Sequence, residues 1–373
     1  MSRITTLDEF ERRYAEGLGV PLVLRDWRTV TPEWLHRHSE GAGDYNPLHR
    51  DPAYAEAGRY HSLVAGPSFL FSIDFGATAS IWGHIPEADV SMSDLSILYL
   101  GADIEWHRPV WVGDRVRSVQ TPVEVRRSSS RQLGDTLVCS ARTDYYNHRA
   151  EVVASMTNHM LRFANPGSGV ESSRPEPTRQ VAPDPLVWAR TRRGAEPRYF
   201  EDVRTGEALP NLPKGTYTTT ELYLFSYGTL TISRARQVDE GTIDMGAGGR
   251  ADAEYARKSR AQAATFDYGP QRIAWLTQIV SDWMGDAGDL VSMSAQLRRP
   301  NLIGDTNTVT GEVTGVREVD GAGLVDLRLS VVNQEDVETA TATATVRLPR
   351  AGAAADELAV FGPTTDLTPG VYG

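Results

Sequence analysis

The sequence holds a single cysteine, Cys139. One thiol excludes a disulfide within the chain and fits a reducing cytoplasm. The run Leu137-Val138-Cys139-Ser140-Ala141 reads as a strand, so Cys139 is read as core rather than nucleophile. No apolar run reaches the length of a membrane-spanning helix. The first residues are charged (Asp8, Glu9, Glu11, Arg12, Arg13) and do not read as a signal peptide. Basic residues are outnumbered, 38 Lys and Arg against 49 Asp and Glu, for a net charge of −11. That balance argues against nucleic-acid binding, and a polyanionic ligand would need a local cluster of cations. No Cys/His cluster suggests a metal. No phosphate-binding loop or dinucleotide fingerprint is present, because Gly246-Ala247-Gly248-Gly249 lacks the spacing. The chain is therefore expected to use no metal, no cofactor, no nucleic acid and no membrane.

Against these absences stands one dense run, Gly43-Asp44-Tyr45-Asn46-Pro47-Leu48-His49. It sets a carboxylate, Asp44, and an imidazole, His49, on one short segment stiffened by Pro47. A carboxylate and an imidazole held this way can share a water molecule, which is the equipment for adding water to a double bond or removing it. The ordinary alternative is a polar turn, since Gly, Asp, Asn and Pro are turn residues. The flanks favour the first reading. Asp51-Pro52 predicts the start of a short helix and Gly58 its stop, while Thr31-Pro32-Glu33 starts another helix upstream. Two helices would brace the loop, as catalytic residues require.

Farther on, Gly66-Pro67-Ser68 opens an apolar stretch from Phe69 to about Trp82, read as a helix. Free N–H groups at Gly66 and Ser68 would face its N-terminus and could stabilise developing negative charge.

The run Gly43 to His49, with Asp51-Pro52 and with Gly66 before an apolar helix, resembles the MaoC-like (R)-specific enoyl-CoA hydratase/dehydratase family. The resemblance implies an α+β hot-dog fold, an antiparallel sheet wrapped around one long helix. It implies that Asp44 and His49 hold the catalytic water, with Asn46 in the same set, and that the Gly66 N–H polarises a thioester carbonyl. The substrate it implies is a coenzyme A or acyl-carrier-protein thioester. The chain departs from the family at two places, with Ala42 where serine and Ala65 where histidine is usual.

The sequence also repeats itself. Arg108-Pro109 and Gly113-Asp114 match Arg299-Pro300 and Gly304-Asp305. The segment from Asn147 to Arg162 parallels that from Asn333 to Arg347. Gly66-Pro67 finds a counterpart in Gly269-Pro270, followed by another apolar helix, and Thr31-Pro32-Glu33 is echoed by Thr219-Thr220-Glu221. The reading is two tandem hot-dog units forming an internal pseudo-dimer: residues 1–163 catalytic, 164–197 a linker, 198–350 a degenerate unit and 351–373 a tail, with a further homodimer of such chains open. Aligning the halves places Ile232 opposite Asp44 and Gln237 opposite His49, so the second unit lacks the motif and is expected to roof the first unit's site.

Other residues are weighed against bland roles. His61, Arg59, Arg108, Arg257-Lys258 and Arg298-Arg299 are candidates for coenzyme phosphates, each otherwise a surface charge. Asp74 could suit a hot-dog thioesterase, and is otherwise a polar contact at the core's edge. His36 and His38 are placed on the helix surface. Trp275 and Trp283 share a helical face and are read as core. Besides the hydratase, an acyl-thioesterase and a non-catalytic acyl-binding or assembly subunit remain open.

Overall fold

In this computed structural model the described residues are 3–73, 85, 89–91, 94–131, 133–165, 192–229, 236–239, 242–244, 256 and 265–352. Helices α1 (Leu7–Ala15), α2 (Pro32–Ala42), α3 (Pro52–Ala57) and α4 (Leu70–Ile73) belong to the first half, and α5 (Thr219–Gly228) and α6 (Gly269–Met284) to the second. The strands are β1 (Leu22–Thr29), β2 (Leu95–Trp106), β3 (Arg115–Ser130), β4 (Gly134–Asn147), β5 (Val152–Ala164), β6 (Leu212–Thr216), β7 (Arg236–Asp239), β8 (Thr242–Asp244), β9 (Asp289–Leu297), β10 (Thr306–Val319), β11 (Ala322–Asn333) and β12 (Glu338–Leu348). No described helix is long and apolar enough to cross a membrane.

The strand order exposes the repeat. One ten-stranded sheet runs β1-β3-β4-β5-β2-β9-β12-β11-β10-β6. Read outward from the β2–β9 junction, each half gives the same succession, with β1 matching β6, β3 matching β10, β4 matching β11, β5 matching β12 and β2 matching β9. Every pair is antiparallel, including β2 with β9 through Ala102↔Ala295 and Ile104↔Met293. The sheet folds around its helix because its strands alternate. In β11, Val325, Leu327, Leu329 and Val331 are buried, while the intervening Asp326, Arg328 and Ser330 are not. They face α6, whose residues from Pro270 to Met284 are all buried. Its Ile273, Leu276, Ile279 and Val280 each contribute roughly 1.5–3 kcal/mol on burial, while buried polar residues such as Gln271 and Arg272 are hydrogen-bonded inside, to the Tyr217 hydroxyl and the Thr339 carbonyl. Trp275 and Trp283 are core, as expected. The tandem hot-dog architecture read from the sequence is the one observed.

The halves match down to single hydrogen bonds. Asp114 Oδ2 accepts from the Trp111 N–H at 2.9 Å, and Asp305 Oδ2 from the Leu302 N–H at 2.7 Å. Asn147 Oδ1 gathers the Arg149 and Glu151 N–H groups, as Asn333 Oδ1 gathers those of Glu335 and Val337. Val64 bridges Trp111 where Phe266 bridges Leu302. This last pair corrects the alignment of the two helix starts. It sets Gly66 opposite Tyr268 rather than Gly269, and both are the N-cap residues of their helices. The shared Gly-Pro dipeptide misleads by one residue because the strand bridge, not the proline, sets the frame.

The junction depends on Gly101, which has φ +143 and whose added Cβ would lie 2.0 Å from the Ala295 carbonyl oxygen. Gly101→Ala is expected to cost about 3 kcal/mol, from an unfavourable backbone conformation and from parting of the two half-sheets. Denaturant titration of the variant measures this, and an unchanged midpoint would refute it.

Several sequence expectations fall outside the described residues. They are the first central helix beyond Ile73, with Asp74; most of the linker; Ile232; Arg257-Lys258; and the tail packing through Val360, Phe361 and Tyr372. Gln237 lies on β7.

Candidate active site

The Gly43–His49 loop is built from turns that use nearly every polar group it carries. Helix α2 ends at Gly43 in the left-handed region, φ +63, and the Asp44 N–H turns back to the Ser39 carbonyl at 3.0 Å. Asp44 Oδ1 accepts the Asn46 N–H at 3.1 Å. Asn46 Oδ1 accepts the Leu48 N–H at 3.1 Å, capping the 3-10 turn Pro47–His49. Asp51 then caps α3 through the Ala53 and Tyr54 N–H groups, as its sequence foretold. Asn46 thus sits in the loop as a cap, with the Arg192 guanidinium on the same oxygen at 3.4 Å.

These turns bring Asp44 and His49 together. Both are buried, at 7% and 6% exposure. His49 Nδ1 lies 2.7 Å from the Val64 carbonyl oxygen. A carbonyl only accepts, so Nδ1 carries a hydrogen, and in the neutral ring Nε2 presents its lone pair. That Nε2 has no hydrogen-bond partner among the described residues and lies 3.9 Å from Asp44 Oδ2. The gap is too long for a direct hydrogen bond.

Gly66 closes the third side. Its position is fixed between the Val64–Trp111 bridge and the 3-10 turn Pro67–Phe69 that leads into α4. A Cβ there would sit 2.9 Å from His49 Nε2, so only glycine lets the helix start approach the imidazole. Its φ of −67 would suit any residue, which leaves proximity as the reason for glycine.

Ser68, two residues on, is buried and bonded to His38 Nε2 at 3.0 Å. This corrects the expectation that His38 lies on the helix surface; His36 does lie there. Helix α2 turns its Trp34, Leu35 and His38 face inward, and His38 packs edge-on against Phe69. Burial drives the His38 pKa down to about 3, with His49 adding to the effect, so the ring is neutral at ordinary pH. A histidine one turn and a half before Asp44 on a capped helix was the available signal, but which face of α2 is buried is not written in one helix.

The site opens into a cavity of about 660 Å³ lined from both halves: Asn46, Leu48, His49, Tyr60, Val64 and Trp111 from the first, Ser281, Met284 and Leu290 from the second. Of the candidate phosphate ligands, Arg108 lines it, ion-paired with Glu151 at 3.5 Å; Arg149 and Arg347, which the sequence did not single out, line it as well. Arg59 does not serve there. It is half-buried and fastens the halves together, bonding to Asp289, the Ala287 carbonyl and the Tyr60 hydroxyl. Arg298 and Arg299 are exposed and do not line the cavity, nor does His61. Cys139 is buried, and burial raises its thiol pKa to about 12, consistent with a core role.

Comparison with known proteins bears on the family and the fold. Residues 22–156 match the model of the FAS1-like dehydratase domain region. The chain is similar to a UPF0336 protein of Streptomyces avermitilis, 27% identical over 139 residues, covering 37% of this chain and 87% of that protein. It is also similar to a Thermomonospora curvata protein named probable enoyl-CoA hydratase alpha subunit, 27% identical over 191 residues, 48% of this chain and 56% of that one. A third relative is the mitochondrial 3-hydroxyacyl-[acyl-carrier-protein] dehydratase of Arabidopsis thaliana, 29% identical over 117 residues, 31% of this chain and 63% of that one. Among solved structures, a MaoC-like dehydratase superposes with TM-score 0.67 at 17% identity over 91% of this chain and all of the other, 100%. A double-hotdog-fold protein of Mycobacterium tuberculosis does so with TM-score 0.59 at 13% identity, over 90% and 97% of the two chains.

Proposed function

We propose that this chain, whose first half carries the FAS1-like dehydratase region and whose fold is that of the MaoC-like dehydratases, catalyses reversible hydration of a 2-enoyl thioester to the 3-hydroxyacyl thioester. The observation that carries the reading is the lone pair of His49 Nε2 facing Asp44 Oδ2 across 3.9 Å beside Gly66. Two acceptors at that separation suit one water, which donates a hydrogen to each and turns an oxygen lone pair outward. The thioester carbonyl would accept the Gly66 N–H, for which no other partner exists among the described residues.

In hydration, the water oxygen bonds to the β-carbon as one of its O–H bonds breaks. The charge that builds on the thioester oxygen is stabilised by the Gly66 N–H. The proton taken up by the Asp44/His49 pair goes to the α-carbon, and the pair is restored. Dehydration reverses these steps. The two groups act as one coupled acid–base unit. Asn46 holds the loop's shape. Ser68 steadies the helix start through His38.

The cavity supplies the rest. Its walls of Leu48, Val64, Trp111, Met284 and Leu290 suit an acyl chain. Arg108, Arg149 and Arg347 line it, paired with Glu151 and Asp289, and an anionic coenzyme A or acyl-carrier-protein arm would bind there by drawing these arginines from their carboxylates. The second unit acts as wall and roof.

The test is loss of the conjugated-enoyl absorbance with a panel of trans-2-enoyl-CoA thioesters. The expected result is a 3-hydroxyacyl product with no free thiol. Release of thiol from saturated acyl-CoA would instead establish a thioesterase. Inertness toward every enoyl thioester, coenzyme- and carrier-bound, in folded protein would overturn the proposal.

A further inference from the structure

The unit that lacks the Asp-x-Asn-Pro-x-His motif reaches into the other unit's loop. Lys214, on β6, extends its ammonium to the Gly43 carbonyl oxygen at 3.2 Å and to Gln278 Oε1 on α6 at 2.8 Å. The same ammonium lies 5.7 Å from the centre of the Trp275 ring. Gly43 is the residue before Asp44, so this contact grips the loop at the point where α2 ends and the carboxylate begins.

We propose that Lys214 is a positioning residue for the Asp44/His49 loop: a cation from the degenerate unit that fixes the Gly43 peptide and supplies the positive charge beside the buried Asp44 carboxylate. The inference rests on the functional reading above only in calling that loop catalytic. Three facts make it more than a packing contact. A buried carboxylate without a nearby cation is costly, and Asp44 is 7% exposed. Among the described residues, the charged groups acting on the ammonium are Glu221 from α5, Asp44 from the loop and Asp282 from α6, all of them acidic. The ammonium also ties the loop of one unit to a strand and a helix of the other, β6 and α6.

Burial lowers the Lys214 pKa from the ordinary lysine value to about 8, and the three carboxylates oppose that fall. The ammonium is therefore present at pH 7 and is lost as pH rises through about 8. The loop should loosen over that interval.

The test uses the full chain and the variants Lys214→Met and Lys214→Arg. Amide hydrogen exchange over residues 39–50, corrected for the intrinsic pH effect, reads the loop without substrate. Wild type is expected to be protected at pH 7 and less so at pH 9, Lys214→Met to lack the extra protection at both, and Lys214→Arg to keep it at both. On an enoyl thioester, Lys214→Met should lose tenfold or more in kcat with KM within twofold. The alkaline limb near pH 8 should disappear in Lys214→Met and move to higher pH in Lys214→Arg. Wild-type loop protection in folded Lys214→Met overturns the inference, as does a change confined to KM. If Lys214→Met does not fold, an alkaline limb that stays near pH 8 in Lys214→Arg overturns it equally. Should wild type be inactive on every thioester, the functional reading falls, while hydrogen exchange still decides the role of Lys214.

Discussion

Asp44→Asn is expected to lower kcat on the preferred enoyl thioester by about 10²–10⁴-fold and to leave folding intact. The two halves of that expectation come from the two oxygens of one carboxylate. Oδ1 accepts the Asn46 N–H and shapes the turn. An asparagine oxygen can do the same, so the loop keeps its fold. Oδ2 faces His49 Nε2. In asparagine this position becomes an NH₂ group, a donor with no basicity, pointed at the lone pair that should receive the water's hydrogen. The variant therefore loses both the negative charge and one of the two acceptors. Circular dichroism and thermal melting check the fold, and steady-state kinetics the chemistry. Activity within tenfold of wild type in a folded variant would sink the mechanism.

Much of this site was legible in the sequence because it is local. The turns from Gly43 to Asp51 are specified by residue types at fixed offsets: a glycine that accepts a positive φ, Asx side chains that fold back on the next N–H groups, and a proline that opens each helix. Nothing distant is needed to form them. The repeat was legible for a related reason, since Arg-Pro and Gly-Asp recur where each half makes the same bend, and the Asp114 and Asp305 turns are superposable in their hydrogen bonds. What the sequence hid depends on contacts between distant segments. His38 looks like any polar residue of an amphipathic helix until Phe69 and Ser68 close over it. Arg59 resembles a surface cation until Asp289, on the other unit, meets it. Lys214 sits in a short edge strand with no motif around it, and only the packing of the two units, α2 against α5 and α6, brings it to Gly43. The mismatch of Gly66 with Gly269 has the same origin, because the alignment followed composition while the register follows a strand bridge.

Gly66→Ala should separate the imidazole from the oxyanion donor. Its backbone, φ −67 and ψ 158, is open to alanine, and the N–H remains in place. With no other effect, the smaller unfolded-state entropy would favour alanine by about 0.4–1 kcal/mol. The new methyl, however, lies 2.9 Å from His49 Nε2 and 3.3 Å from Cδ2. One of the two must move. The imidazole cannot simply swing, because Nδ1–H is held by the Val64 carbonyl, and Val64 is held by its bridge to Trp111. The ring must either break that bond or carry the loop with it, and both widen or skew the gap to Asp44. A displacement near 1 Å at a reacting group costs on the order of 10²-fold in rate, whereas overpacking here should cost only about 1–3 kcal/mol of stability. The expected signature is a folded protein with kcat reduced about a hundredfold and KM little changed. Kinetics and melting on the same preparation test it. Full activity in Gly66→Ala would show that the ring's closeness to the helix start has no part in the reaction, and the water would then have to be placed by Asp44 alone.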